Sequence, residues 1–402
     1  MLGELIDRSH LMDPSRFTDE IGMAAAMIGA SDVELFLTDY EQRMLMPLRV
    51  TAGGEPLTIE TTLAGRAFMT GEPQATEHEH GGFRLWVPLL DGSDRLGVVR
   101  LDVAVVDEAC MRTALRFAGL VSQLIVTKSR YSDVFARAAQ RVTPSVAAHV
   151  QWSQLPPMTF TTPRVAIAGI LEPAYDIGGD AFDYSHTDDR TDIVMLDAMG
   201  HGLTACWPAT LAMAGLRHAR QRGLGLAERY DECSRLLARE LSPYQFVAAQ
   251  LVELDCTSGL LRWITAGLPR PLLIRQGKVV GELPNRPNLP LGVAIDGGGA
   301  QIASVALEPW DRVLFFTDGV IEGHRPGNEP FGIERLVDLL GRESQAEAGP
   351  AEAVRRVAHA VLDHNNHDLR DDFTMLLVEY RGNRDDVEAS PNTHRLPRHR
   401  TV

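Results

Sequence analysis

Acidic residues recur at the ends of apolar segments between residues 158 and 380, where strands are expected to meet loops. The members of this set are Asp180, Asp197, Asp318, Asp371 and Asp372. Any one such acid usually caps a turn, but several from distant parts of a chain supply the oxygen ligands that Mg²⁺ and Mn²⁺ prefer. Crowded carboxylates repel one another unless positive charge lies among them. The pattern therefore predicts a divalent metal site.

The stretch EPAYDIGGDAFDY, residues 172–184, contains the first of these acids together with Asp176 and Asp183. It does not match an EF-hand loop, because the alternating ligand pattern and the distal Glu are missing. A second motif, GHGLTA at residues 200–205, resembles a dinucleotide-binding fingerprint. The acidic residue expected about 20 positions later is replaced by RHARQR, so a nucleotide site of that kind is not predicted.

Several apolar segments between residues 158 and 380 are typical of strands, among them VAIAGI, TDIVMLD, QFVAAQLVELD, DRVLFFTD and FTMLLVEY. Paired helices are predicted over about 203–241, and further helices near 333–341 and 350–363. Long β segments with helices inserted in pairs favour an α+β sandwich over a doubly wound parallel sheet. The tail, residues 381–402, has little apolar content and is predicted to be disordered.

Residues 1–126 are predicted to form a separate α/β unit that includes a hairpin, LWVPLLDGSDRLGVVRLDV. The phrases TLAGRAFMTGEP and VPLLDGSDRLGVVRL resemble a GAF domain, which implies a sensor of an unidentified small ligand. Residues 127–157 are predicted to be a helical connector. A heptad spacing from Phe117 to Val142, with Lys128 in the seam, indicates either a dimeric coiled coil or an amphipathic helix packed on its own domain.

The composition is that of a globular protein, with 45% hydrophobic and 23% charged residues and a formal net charge of −15. That charge argues against nucleic-acid binding. The four cysteines are scattered without a CxxC pair, which fits a reducing compartment. The beginning of the sequence does not resemble a signal peptide, and no apolar run is expected to reach the length of a membrane span. A cytoplasmic protein is expected.

The motifs DIGGDAFDY, LDAMGHGLTA, LPLGV, FFTDGVIEGH, FGIERL and DDFTMLLVEY occur in the order found in SpoIIE-like phosphatases of the metal-dependent PPM family. The resemblance implies an α/β/β/α sandwich with two Mn²⁺ or Mg²⁺ ions. It implies that the metal is bound by Asp180, Asp197, the carbonyl of Ala198, Asp318 and Asp371. Asp372 is the alternative to Asp371. Asp183 would hold a water beside the ligands, and His201 or His324 would serve as a general acid. His201 replaces the usual lysine.

The resemblance also implies hydrolysis of phosphoserine or phosphothreonine on a protein, with a phosphorylated STAS-domain anti-anti-sigma factor as the expected substrate. The expected protein is a homodimer regulated by its sensor. A catalytically silent module of the same fold, which senses a ligand and binds a partner, is the alternative. A nucleotide cyclase is a third hypothesis, but the sequence shows none of the base- or phosphate-binding residues that a cyclase needs. The sequence leaves open the sensor ligand, the choice of metal and whether the sensor activates or inhibits.

Overall fold

The computed structural model describes residues 7, 9–48, 54–78, 81–173, 175, 178–284, 286–293, 299–322, 329–346, 348–366, 369 and 371–382. The chain divides into two compact units, Met1–Pro144 and Ser145–Val402. The predicted disordered tail falls almost entirely outside the described residues. The predicted connector and the predicted domain limits stay predictions.

The N-terminal unit is an α/β unit built on one antiparallel sheet of order β3-β2-β1-β6-β5-β4. Its strands are β1 (Ala30–Thr38), β2 (Met44–Pro47), β3 (Leu57–Thr58), β4 (Gln74–Glu77), β5 (Phe83–Asp91) and β6 (Asp94–Val103). Its helices are α1 (Phe17–Met27), α2 (Leu63–Thr70), α3 (Glu108–Ser129) and α4 (Val134–Ala139). The predicted hairpin is confirmed, with Asp91 paired to Asp94 across the turn. The assignment of this unit as GAF-like stays a prediction.

Helix α3 packs into the core of its own unit, as the second of the two alternatives for the heptad spacing predicts. Phe117, Val121 and Leu124 are buried against the sheet, and Phe135 of α4 joins the same core. The prediction of one continuous heptad helix is wrong, because α3 ends at Ser129 and α4 begins only at Val134. Polar substitutions of these residues would therefore disrupt a domain core, and the predicted homodimer is left untested by them.

Lys128, which the heptad spacing placed in a seam, is buried and fastens the N-terminal segment of the unit. Its ammonium group donates hydrogen bonds to the carbonyl oxygens of Ser9, at 2.8 Å, and Met12, at 3.4 Å, and to the Tyr131 hydroxyl, at 3.2 Å. These acceptors explain how a lysine is tolerated in the interior.

Among the described helices, only α3 is long and apolar enough to cross a membrane by length and composition, with a mean hydropathy of 1.2. The sequence reading that no segment approached this length is therefore corrected for Glu108–Ser129. In this structure the apolar side of α3 contacts the β-sheet, and core helices often have the same composition.

The C-terminal unit contains two antiparallel sheets, of orders β15-β12-β11-β10-β9 and β14-β13-β16-β17-β8-β7. The strands are β7 (Thr159–Thr161), β8 (Val165–Glu172), β9 (Asp180–Thr187), β10 (Arg190–Ala198), β11 (Val247–Asp255), β12 (Leu260–Ala266), β13 (Leu272–Arg275), β14 (Lys278–Glu282), β15 (Ala303–Ala306), β16 (Arg312–Phe316) and β17 (Phe373–Tyr380). The helices are α5 (Val146–Gln154), α6 (Leu203–Gln221), α7 (Leu226–Glu240), α8 (Gly319–Glu322), α9 (Ile333–Gln345) and α10 (Pro350–His364).

The two sheets pack face to face, and helices cover both outer surfaces. One buried cluster lies between the sheets and includes Phe182, Trp263 and Phe315. A second lies between the six-stranded sheet and helices α9 and α10, and a third between the five-stranded sheet and helices α6 and α7. Strand residues alternate between these clusters because successive side chains point to opposite faces of a sheet. The predicted α/β/β/α sandwich is confirmed.

Candidate metal centre

Three of the predicted acids line one cleft at the edge of the sandwich. The cleft has a volume of about 270 Å³, and Asp197, Asp318 and Asp371 contribute its acidic residues. The other residues that line it are Ala198, Met199, Gly200, Phe246, Ala248, Gly267 and Pro290. The cleft therefore combines a group of carboxylates with several apolar residues, and the carboxylates come from three distant parts of the chain.

Strand alternation directs Asp197 towards the space between the two sheets. Along β10, Ile193 and Met195 belong to the core between the sheets, whereas Val194 and Leu196 pack against the helices. Asp197 continues the first series at the end of the strand. Its register partner on β9 is Asp180, so the two carboxylates come from neighbouring strands of the same sheet.

Asp180 is buried and joins the two sheets through a hydrogen bond. The Thr317 hydroxyl donates to its carboxylate at 2.8 Å, and the backbone N–H of Thr374 donates to the same hydroxyl at 2.8 Å. Asp180 is 1% exposed and is not among the residues that line the cleft. The structure places this predicted ligand directly behind the cleft.

Asp371 and Asp372 have different partners, although they are adjacent. Asp371 lines the cleft, whereas the carboxylate of Asp372 accepts hydrogen bonds from the backbone N–H groups of Gly178 and Gly179 at 2.6 and 2.8 Å. The geometry therefore favours Asp371 as the metal ligand of this pair, and it makes Asp372 the residue that holds the Gly-Gly turn.

Two glycines permit close approach of the backbone segments around the cleft. A Cβ atom added to Gly179 would lie 2.2 Å from the carbonyl oxygen of Ala198, and one added to Gly319 would lie 2.0 Å from the carbonyl oxygen of Asp372. Real Cβ atoms essentially never approach backbone oxygen that closely. Glycine is required at both positions because a side chain would push the acid-bearing segments apart.

We expect the substitution Gly179→Ala to reduce any Mn²⁺-dependent hydrolysis of a phosphate ester by at least about tenfold. The added methyl group must displace the Ala198 carbonyl, and small misplacements of reacting groups can lower rates about 100-fold. Gly119→Ala is the control, because a Cβ at Gly119 meets no atom within 4 Å. Equal activity of both variants in steady-state assays would contradict this role for Gly179.

The acids around the cleft have raised pKa values because they are buried close to one another. Burial, followed by the charges of Asp318 and Asp371, raises the pKa of Asp197 to about 7. Burial and then Asp318 raise the pKa of Asp371 to about 6. Burial and then Asp197 raise the pKa of Asp180, and the hydrogen bond from Thr317 opposes this shift. A bound cation would relieve this repulsion.

The donor set fits a hard divalent cation, because carboxylates and backbone carbonyl oxygens are the ligands that such ions prefer. Within the described ranges, no three Asp, Glu, His or Cys side chains are arranged to hold one metal ion. The fit therefore rests on the types of donor, on their common cleft and on the raised pKa values. Metal binding would require the carboxylates to converge further.

The other predicted site residues have different surroundings. Asp183 is buried, and its carboxylate forms ion pairs with Arg217 and Arg220 of α6, at 2.7 and 2.8 Å. Asp183 lies three residues after Asp180 on β9, so it faces the helices, and the water-holding role is not supported. His201 is exposed and follows Gly200, which lines the cleft, and its predicted role as a general acid stays a prediction. Asp176 and His324 lie outside the described residues.

Sequence reasoning missed two residues that position the site. One is Thr317, which precedes Asp318 and binds Asp180. The other is Gln151 of α5, which is 1% exposed and whose amide donates to the carbonyl oxygens of Asp180 at 2.9 Å and Gly178 at 3.4 Å. The motif HVQWSQLPP contains Gln151, but a lone glutamine in a short helix carries no signal of such a contact.

Comparison with known proteins gives a family for the C-terminal unit. Residues 187–381 match the family model described as Stage II sporulation protein E (SpoIIE). The C-terminal unit is a SpoIIE-type phosphatase domain. The matched range includes all three acids of the cleft and begins after Asp180.

Two curated proteins that are similar to this chain are from Bacillus subtilis. Phosphoserine phosphatase RsbU is 21% identical over 239 residues, which is 58% of this chain and 68% of RsbU. Phosphoserine phosphatase RsbP is 23% identical over 225 residues, which is 54% of this chain and 53% of RsbP. A solved structure of the RsbU and RsbW domains of a Mycobacterium tuberculosis protein is 27% identical with a TM-score of 0.49, and covers 55% of this chain and 62% of that one.

Proposed function

We propose that this protein is a metal-dependent phosphatase that hydrolyses phosphoserine or phosphothreonine on a regulatory protein. The observation that carries the proposal is the convergence of Asp197, Asp318 and Asp371 on one cleft. The membership of the C-terminal unit in the SpoIIE family supports it, as do two relatives that are named phosphoserine phosphatases.

In this proposal Asp197, Asp318, Asp371 and the carbonyl of Ala198 hold two ions, either Mn²⁺ or Mg²⁺. When bound, the ions supply a water of lowered pKa and positive charge for the phosphate oxygens. Asp180 fixes the distance between the two sheets through Thr317, and Asp372 holds the Gly-Gly turn. The apolar residues around Phe246 limit access of bulk water to the reacting groups.

The finer parts of the proposal rest on the family resemblance. The substrate is a phosphorylated STAS-domain anti-anti-sigma factor, and the protein works as a cytoplasmic homodimer. The N-terminal α/β unit is a GAF-like sensor of a small ligand and regulates the phosphatase. Assay of candidate phosphorylated STAS proteins, with and without the N-terminal unit's candidate ligands, addresses these points after basic activity is established.

The direct test is hydrolysis of p-nitrophenyl phosphate by the full chain, with Mn²⁺, with Mg²⁺ and with EDTA. We expect turnover that requires the metal and falls by at least about 100-fold in Asp318→Asn, because even residues that only support metal ligands typically contribute 10- to 100-fold. Asp188→Asn is the matched control, since Asp188 is exposed on the β9–β10 turn. Metal-dependent turnover that Asp318→Asn retains would refute the assigned site.

Failure of the wild-type chain to hydrolyse either the ester or a phosphoserine protein would favour the catalytically silent partner-binding module. That alternative predicts Mn²⁺ binding without turnover or no Mn²⁺ binding at all. Isothermal titration with Mn²⁺ separates these two outcomes.

A further inference from the structure

An exposed apolar surface borders the cleft and is not used by the proposed chemistry. We call it the rim surface and define it as Met199, Leu203 and Trp207. Their exposed fractions are 48%, 56% and 60%. Large exposed apolar side chains that lie close together often mark an interaction site.

Helix α6 presents two of these residues on its outer side. Leu203 and Trp207 are four residues apart, so they lie next to each other along the helix. The inner side of α6 is defined by Ala205, Ala209 and Ala212, which are buried against the five-stranded sheet. Packing within the unit therefore leaves Leu203 and Trp207 exposed.

Met199 connects the rim surface to the cleft. It lines the cleft together with Asp197 and Phe246, and its backbone N–H donates to the carbonyl oxygen of Phe246 at 3.4 Å. Leu203 follows it after four residues, at the first position of α6. A molecule that covers the rim surface therefore also lies at the entrance to the carboxylates.

Charge favours an apolar mode of recognition at this entrance. The chain has a formal net charge of −15, and two bound divalent cations in the cleft would offset only part of it. Long-range electrostatics therefore oppose the approach of a phosphorylated, anionic partner. The first turn of α6 has no acidic residue, so the rim surface is a local exception. Burial of apolar side chains provides attraction that does not depend on charge.

We propose that the rim surface binds apolar side chains next to the phosphorylated residue of the protein substrate. This inference rests on the proposed function, because it assigns the substrate's flanking segment to a surface beside the same cleft. Trp207 and Leu203 are specificity-determining residues in this proposal. They contact the segment beside the phosphorylated residue, outside the cleft that receives the phosphate.

The test compares two synthetic phosphoserine peptides that differ only at the positions flanking phosphoserine, Leu and Phe in one and Ser in the other. We measure kcat/KM for both with the full chain, and normalise it to hydrolysis of p-nitrophenyl phosphate, which is too small to span the cleft and Trp207. The variants are Trp207→Ala, the conservative Trp207→Phe, and the control Val280→Ala. Val280 is 64% exposed on β14, which belongs to the other sheet.

We expect the wild-type chain to prefer the apolar peptide by at least about fivefold. Trp207→Ala should lose that preference through a higher KM, while Trp207→Phe and Val280→Ala should keep it. An unchanged preference in Trp207→Ala would overturn the proposal. So would a smaller molecular mass of Trp207→Ala by light scattering, because it would assign the rim surface to a second copy of the chain.

Failure of the proposed function has a distinct signature. If the wild-type chain hydrolyses neither peptides nor ester, fluorescence anisotropy with fluorescein-labelled peptides still measures binding. Selective binding of the apolar peptide that Trp207→Ala loses would support the rim surface without catalysis. Equal binding of the two peptides by the wild-type chain would overturn it.

Discussion

The substitution Asp197→Asn is expected to abolish metal-dependent turnover and, at the same time, to stabilise the metal-free protein. Turnover should fall by at least about 100-fold, because Asp197 lines the cleft and residues that merely support metal ligands already contribute 10- to 100-fold. Stability should rise because a carboxylate with a pKa of about 7 opposes folding wherever it is ionised.

The size of the stability effect follows from the pKa. Each unit of pKa shift corresponds to about 1.4 kcal/mol, so the full shift sets an upper limit of a few kcal/mol at pH 8. A gain of 1 kcal/mol raises the melting temperature of a unit this size by roughly 2–4 °C. We expect Asp197→Asn in EDTA to melt at least about 3 °C above the wild type by calorimetry.

Asp188→Asn serves as the control, because it makes the same chemical change on an exposed turn. It should change neither turnover nor melting temperature. A lower melting temperature for Asp197→Asn in EDTA would show that the carboxylate stabilises the fold. That result would contradict the argument that repulsion among the clustered acids destabilises the metal-free protein.

The second large effect is a loss of stability as pH rises, which Mn²⁺ should counteract. Asp197 and Asp371 have pKa values of about 7 and 6 in the folded chain, above the usual value near 3.8. Between about pH 4 and 7 the folded chain therefore holds more protons than the unfolded chain. Stability must fall as pH rises through this range, by up to about 1.4 kcal/mol per pH unit for each proton involved.

Mn²⁺ competes with these protons, so it should raise the melting temperature more at pH 8 than at pH 5.5. The measurement is calorimetry of the full chain at both pH values, with Mn²⁺ and with EDTA. Na⁺ at matched ionic strength controls for general screening. An equal shift at both pH values would indicate that the ion binds groups other than the cleft carboxylates.

The sandwich and the acids that line the cleft could be predicted from the sequence. Long apolar segments such as those of β10, β11 and β17 have an unambiguous strand pattern, and Asp197, Asp318 and Asp371 each lie at the end or the start of one. The paired helices α6 and α7 lie within one or two residues of the predicted range. These features are local, so a pattern of neighbouring residues is enough to predict them.

The finer geometry depends on β9, which is not among the strands named from the sequence. Residues DAFDYSHT form a strand, so Asp180 and Asp183, three positions apart, face opposite sides of the sheet. One faces the cleft region and the other binds Arg217 and Arg220 of α6. The polar composition of this strand hides its alternation. The sequence therefore predicts that Asp183 holds a water beside the ligand Asp180, whereas the structure separates the two acids.

The heptad spacing shows a different limit of sequence analysis. Phe117, Val121 and Leu124 have the same periodicity whether a helix packs against a partner helix or against its own sheet. The structure buries them against the sheet, and the helix ends at Ser129. Periodicity reports which side of a helix is apolar, and tertiary context decides what covers it.

The position of β17 in its sheet has a consequence for biosynthesis. This strand, the last of those in the described residues, lies between β16 and β8, and it pairs along its whole length with a strand about 200 residues earlier in the chain. Asp371 immediately precedes it. A nascent chain therefore cannot assemble the cleft until β17 has left the ribosome, and until then β8 and β16 each have an unpaired edge. Premature termination before Phe373 would leave two exposed strand edges as well as an incomplete cleft, so such fragments should be prone to aggregation.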